Sequence, residues 1–166
     1  MHDLISHLGS GLSARKLLKG AAAGFVATAP MTLTMLLGWR MLPQSERYPL
    51  PPRLITEEIS ERVGIRGQLD ENQLVGLTLF SHFGYGAIFG AVYAVLDHGI
   101  PMHPSLRGTL AGLAIWVGSY LGWLPAMEIL RPATRHPWRR NLLMIIAHIV
   151  WGVTLGELVR RLTERN

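Results

Sequence analysis

Four long apolar stretches, each without a Lys, Arg, Asp or Glu, divide the 166-residue chain. They cover residues 20–38, 74–96, 108–127 and 142–156. A helix needs roughly 20 apolar residues to cross the hydrocarbon layer of a bilayer, which is about 30 Å thick. The pattern therefore predicts an all-α, polytopic membrane protein. Its four transmembrane helices are expected near residues 20–41, 73–96, 107–129 and 141–162.

Two polar segments predict short helices at the membrane surface. Residues 1–18 carry four apolar side chains on one helical face, which is typical of an amphipathic interfacial segment: Leu4, Ile5, Leu8 and Leu12. The loop 42–72 opens with prolines that prevent a regular helix. It continues as "RLITEEISERVG", where Pro52 suits the first turn of a short helix and Gly64 its C-terminal cap. Residues 19–166 then form the transmembrane domain.

A sequence motif recurs in the two halves of the chain. "KGAAAGFVATAP" (19–30) aligns with "RGTLAGLAIWVG" (107–118), and the pattern His-x-x-aromatic-Gly-x-x-x-Gly occurs at 82–90 and again at 148–156. This internal repeat predicts two related helical hairpins. Because each hairpin enters and leaves the membrane on the same side, the halves run parallel, and a pseudo-twofold axis is expected along the membrane normal.

Glycines spaced four residues apart favour close helix packing in lipid, where van der Waals contact between backbones replaces the hydrophobic drive. The packing residues predicted on this basis are Gly86, Gly90, Gly152, Gly156, Gly108 and Gly112. Their small-residue faces are expected to interlock in a four-helix bundle. The same faces are candidates for association with a second copy or with another membrane protein.

Two histidines stand inside otherwise apolar spans, where an ionisable side chain is costly and usually turns inward. His82 lies about eight residues into its span and His148 about six into its own, so their depths differ by only about 3 Å at 1.5 Å per residue. Both rings are expected to face one central space. Each could form local hydrogen bonds that fix helix register, or the pair could bind haem b or a metal ion. The pair could also titrate in a proton relay or permeation path. Alternatively, the histidine- and glycine-containing faces of the two helices could receive a helix of a partner protein.

Composition excludes several classes of function. The net charge of +5 is explained by basic residues that flank the spans and meet anionic lipid headgroups. No basic patch interleaved with aromatic residues occurs, so no nucleic-acid binding is predicted. The chain has no cysteine, and it lacks a Walker loop, a nucleophile elbow, an H-E-x-x-H motif and a paired acidic motif. We therefore predict that the protein is not an enzyme.

Three segments resemble, in this order, the YagU-like bacterial inner-membrane proteins, a group defined by a domain of unknown function. They are "HFGYGAIFGAVYAVL", "RGTLAGLAIWVGSYLGWLPAM" and "AHIVWGVTLGELVRRL". The resemblance covers residues 70–162 and implies a multi-pass protein of the bacterial cytoplasmic (inner) membrane with both termini in the cytoplasm. The distribution of charge does not determine which side of the membrane the termini occupy. Seven basic residues are expected on the side of the termini and nine on the other side, and this difference is too small for the positive-inside rule to decide.

Three hypotheses for function follow from these patterns. The first is a non-enzymatic integral membrane protein that associates through its small-residue helix faces, as an accessory or structural subunit of a larger assembly. The second is a small transporter or proton-responsive channel that uses His82 and His148. The third is a bis-histidine haem- or metal-binding membrane protein that uses the same pair.

Overall fold

The structure is a computed structural model that describes residues 14–97 and 101–164. Four of its helices are long and apolar enough to cross a membrane: Ala14–Met41 (α1), Glu71–Leu96 (α3), Pro104–Ala126 (α4) and Trp138–Glu164 (α5). A shorter helix, Pro51–Arg62 (α2), lies between α1 and α3 in the chain. The described ranges contain no strand. The predicted all-α fold with four candidate membrane spans is confirmed.

The helix boundaries differ from the prediction in several places, and the differences in α1 and α4 have clear local causes. In the structure α1 already includes residues 14–18, which the sequence assigned to an interfacial segment, while the rest of that segment lies outside the described residues. Helix α4 begins at Pro104, because the fixed φ of proline suits the first position of a helix. It ends at Ala126 rather than near residue 129, and the chain then turns through Glu128 at a φ of 58°.

Local sequence signals explain where the other helices begin and end. Helix α2 begins at adjacent prolines, and after its last turn Gly64 adopts a φ of 76°, which is typical of a glycine C-terminal cap. Helix α3 begins with a capping box. The Asp70 carboxylate accepts from the backbone N–H of Gln73, and the Gln73 side chain accepts from the backbone N–H of Asp70, both at 2.9 Å.

The long helices pack in a row, with α3 against α1, α1 against α5 and α5 against α4. Glycine backbones make the contacts within each hairpin. A Cβ on Gly24 of α1 would overlap the carbonyl oxygen of Gly86 and the Cα of Gly90 on α3. A Cβ on Gly108 of α4 would likewise overlap the carbonyl oxygen of Gly152 on α5. Both hairpins are therefore held by direct contact between glycine backbones.

All the predicted packing glycines are buried inside the molecule. Gly112 would meet the carbonyl oxygen of His148, and Gly156 that of Pro104, if either carried a Cβ. These contacts are made within one chain. The glycine faces are therefore occupied by the chain itself and are not exposed on the outside of the bundle.

We expect the substitution Gly90→Ala to destabilise the protein by about 1–3 kcal/mol, because its Cβ would meet the backbone of Gly20 and Gly24, which cannot move aside cheaply. Thermal unfolding in a mild detergent measures the effect. The matched control is Gly84→Ala on the same helix, where a Cβ meets nothing within 4 Å. This control should be neutral or stabilising by about 0.5–1 kcal/mol. Equal stability of the two variants would contradict the close glycine contact.

Candidate functional site

A cavity of about 200 Å³ lies between the two hairpins and below α2. All five helices contribute to its wall, which is mostly apolar. Several polar side chains reach it, and both predicted histidines are among them. These side chains include His82, Tyr85, Ser119, Tyr120 and His148. We call it the central cavity. The structure thus brings His82 and His148, which are 66 positions apart in the sequence, to one site.

His148 is buried and already hydrogen-bonded. Its Nδ1 lies 2.7 Å from the carbonyl oxygen of Met144, one turn earlier in α5. Because a carbonyl oxygen only accepts, Nδ1 is the donor, and Nε2 of the neutral ring is an acceptor. The ring also stands edge-on to Tyr120, with 6.0 Å between the ring centroids. These contacts fix the orientation of the His148 ring.

His82 is not satisfied in the same way. Its Nε2 is buried, and no described protein atom accepts from it or donates to it. The ring packs edge-on against Phe83, with 6.1 Å between the centroids. A buried polar atom without a partner normally costs about 1–3 kcal/mol. His82 therefore lines the central cavity and carries a polar atom that has no partner among the described residues.

The size of the central cavity limits what it can hold. Drug-sized ligands occupy pockets of roughly 300–1,000 Å³, whereas an apolar cavity of about 150 Å³ accepts benzene. A volume of about 200 Å³ therefore fits a molecule with one ring. Within residues 14–97 and 101–164, no three His, Cys, Asp or Glu side chains are grouped as they would be around a metal ion.

Helix α2 covers the central cavity and is held by contacts with α3 and with the segment that follows α4. Arg53 makes a two-pronged ion pair with Glu71 at the start of α3, at 2.6 and 2.8 Å. The Thr56 hydroxyl lies 3.2 Å from the Ser81 hydroxyl, also on α3. At the far end of α2, Arg62 donates to the carbonyl oxygens that follow α4: Met127 at 2.7 Å and Glu128 at 2.9 Å.

The loop before α2 is held by a buried arginine of α5. Arg140 is 4% exposed and donates to three carbonyl oxygens of that loop at 2.8–2.9 Å: Glu46, Tyr48 and Pro49. Its guanidinium also lies 3.5 Å from the centre of the Tyr48 ring, within cation–π range. Arg140 therefore fixes the chain segment that positions α2 over the cavity.

Tyr48 is in turn bonded to His136, in the loop between α4 and α5. The distance from the Tyr48 hydroxyl to Nδ1 of His136 is 2.6 Å, and Nε2 of His136 lies 3.1 Å from the carbonyl oxygen of Arg131. Nε2 must donate to this carbonyl, so Nδ1 accepts from the tyrosine. Burial lowers the pKa of His136 from its ordinary value.

Sequence reasoning missed several residues of the site. Tyr85 belongs to the repeated motif, but its position in a cavity wall depends on the rotation of α3, which spacing alone does not give. Tyr120 and the buried Arg140 carry no distinctive motif. One signal was available for Tyr85, because it aligns with Trp151 in the repeat and both line the central cavity.

The fold and the cavity define the class: an all-helical chain whose four apolar helices are compatible with a multi-pass membrane protein. The chain belongs to a family of unknown function (DUF6789), whose model matches residues 14–166. This match does not confirm the YagU-like resemblance or a bacterial origin. No curated protein and no solved structure matches the chain.

We expect the Tyr48–His136 bond to make stability depend on pH. Because the pKa of His136 in the folded protein lies below 6.5, its contribution is complete above pH 6.5 and is lost as the pH falls below that value. Protonation of Nδ1 would remove the acceptor of the tyrosine hydroxyl. The variant His136→Gln, which does not titrate, should be less stable than wild type by about 0.5–1.5 kcal/mol at pH 8.

Unfolding curves of both proteins at pH 8, 6.5 and 5 test this expectation. The difference between them should shrink as the pH falls, because only the wild type loses the contribution. Other groups that titrate are common to both proteins and cancel in the comparison. A difference that stays constant between pH 8 and pH 5 would contradict the assigned hydrogen-bond pattern.

Proposed function

We propose that the protein is a non-enzymatic integral membrane protein that binds one small, mostly apolar molecule in the central cavity. The observation that carries the proposal is His82, which lines a mostly apolar cavity of about 200 Å³ and whose buried Nε2 has no partner among the described residues. A ligand that hydrogen-bonds to this nitrogen would recover the free energy that its burial costs.

The chemistry of the cavity defines the ligand class. Its volume suits a single ring, and its apolar wall favours the burial of hydrocarbon surface, at about 25 cal/mol per Å². One polar group is needed to meet His82. A phenol-like molecule satisfies these conditions, because a hydroxyl both donates and accepts and therefore suits either tautomer of the ring.

The earlier hypotheses are affected differently by this geometry. Association with a second copy or an accessory role would have to use the exposed apolar faces, because the glycine faces are engaged inside the chain. A bis-histidine haem would need room for a macrocycle of four pyrrole rings, and the volume of about 200 Å³ favours a smaller ligand. Transport is compatible with ligand binding in the central cavity. The path that the ligand takes is related to a second cavity, between α3 and α4.

We expect phenol to bind more tightly than toluene, which has nearly the same shape but carries a methyl group in place of the hydroxyl. One neutral hydrogen bond corresponds to a preference of about 2- to 12-fold. The substitution His82→Phe should abolish this preference and leave toluene binding nearly unchanged. Equilibrium titration in detergent, followed by calorimetry or by ligand-observed NMR, measures the affinities.

His136→Gln is the matched control, since it changes a histidine outside the central cavity and should keep the phenol preference. Two results would overturn the proposal. One is that neither compound binds to the wild-type protein. The other is that phenol and toluene bind equally, which would indicate that a water molecule satisfies His82 instead.

We also propose that the protein lies in a bacterial cytoplasmic membrane with both termini in the cytoplasm. Four spans place the two ends on one side, and the resemblance described above supports the cytoplasmic side. A green fluorescent protein fused after residue 166 should fluoresce, and an alkaline phosphatase fused there should be inactive. The same reporters inserted in the loop after α4 should give the opposite pattern. Active phosphatase at residue 166 would reverse the orientation.

A further inference from the structure

A second cavity, of about 520 Å³, lies between α3 and α4, and we call it the lateral cavity. Its wall includes apolar side chains that are 45% exposed or more: Val92 at 45%, Leu96 at 70% and Leu110 at 50%. On helices that cross a membrane, exposed apolar side chains face lipid. This side of the lateral cavity therefore faces the bilayer interior.

The lateral cavity and the central cavity share part of one wall. Five residues line both cavities, and together we call them the partition: Tyr85, Phe89, Ile115, Ser119 and Trp123. The hydroxyl groups of Tyr85 and Ser119 are 2.9 Å apart and join α3 to α4 at this level. The Tyr85 ring packs against Phe89, with 4.5 Å between the centroids.

The backbone of α4 is irregular at the partition. Residues Gly118–Trp123 form a wide π-helical turn, in which Gly122 leaves helical geometry with φ and ψ both at −108°. Such turns interrupt the regular hydrogen-bond ladder and are frequent at functional sites. A Cβ on Gly118 or Gly122 would meet nothing within 4 Å, whereas Ser119 and Tyr120 of the same turn are buried. The irregular turn therefore forms the α4 side of the partition, with open space beside its two glycines.

Different interactions bridge the central cavity on two of its sides. On the side of α2 they are the Arg53–Glu71 ion pair, the Thr56–Ser81 contact and the two hydrogen bonds of Arg62. On the side of the partition they are one hydrogen bond between neutral hydroxyl groups and a set of aromatic contacts. The partition is the wall shared with the lateral cavity, so a molecule that arrives through the lateral cavity would have to cross it.

We propose that the partition is a lateral gate through which the ligand of the central cavity enters from the lipid bilayer. This proposal rests on the proposed function and adds that the ligand is an uncharged, lipid-soluble molecule. Asp97 and Arg107 line the lateral cavity as an ion pair at 2.8 Å and thus add no net charge to the route. The Tyr85–Ser119 hydrogen bond keeps the gate closed between binding events.

The lack of cysteine in the chain allows gate opening to be measured without a ligand. Thr28 lines the central cavity and is 1% exposed, so the substitution Thr28→Cys places a single thiol behind the partition. Its rate of alkylation by N-ethylmaleimide, which crosses lipid, reports how often the central cavity opens. The measurement uses the full chain in lipid nanodiscs.

Adding Ser119→Ala to this background removes the hydrogen bond of the gate, and we expect alkylation to become about 3- to 10-fold faster. The matched control is Thr56→Ala, which removes the comparable hydroxyl contact between α2 and α3 and should leave the rate unchanged. Acceleration by Thr56→Ala and not by Ser119→Ala would assign access to the side of α2 and overturn the proposal. An equal rate in all three proteins would also overturn it.

Phenol binding provides the second measurement and separates the two proposals. In the otherwise wild-type chain, Ser119→Ala should raise both the association rate and the dissociation rate of phenol, because a gate limits passage in both directions. If alkylation becomes faster with Ser119→Ala but phenol does not bind, the lateral gate is supported and the proposed ligand class is wrong. If phenol binds and neither rate changes, the gate fails and the binding site stands.

Discussion

The close approach of glycine backbones within each hairpin is the contact on which the rest of the structure depends. Gly24 against Gly86 and Gly90, and Gly108 against Gly152, bring α1 to α3 and α4 to α5 at distances that no Cβ would allow. Lipid offers helices little hydrophobic reason to associate, so the contact must come from packing. The carbonyl oxygen of Gly24 also accepts from the Trp151 indole, at 3.3 Å, which links the first hairpin to the second.

The cavities are a consequence of this arrangement. Because α3 is drawn to α1 and α4 to α5, the facing sides of α3 and α4 are bridged by large side chains such as Tyr85 and Trp123 rather than by small ones. Side chains of this size do not interdigitate as closely as glycine rows, and space is left on both sides of them. The same glycines that tighten the hairpins therefore leave room between the hairpins.

The sequence was informative wherever a property repeats along the chain. The charge-free stretches predicted the four long helices, and the proline pair with Gly64 predicted α2. The spacing of the repeated motif predicted that both histidines turn inward, and both line the central cavity. It could not give the partners of Tyr85 or Arg140, because these depend on how each helix is rotated about its axis and on the path of a loop. The ends of α4 were also misplaced, since a proline and a residue of positive φ override the hydrophobic pattern there.

The two histidines occupy aligned positions but differ in chemistry. His148 donates its Nδ1 proton to the carbonyl oxygen of Met144 on its own helix, and its ring also packs edge-on against Tyr120. These contacts fix the ring within the helix bundle. His82 has a buried Nε2 that meets no polar group of the described residues. A buried polar atom that is unsatisfied costs stability, and such a cost is tolerated where it serves recognition. In the proposed function, His148 therefore orients the site and His82 contacts the ligand.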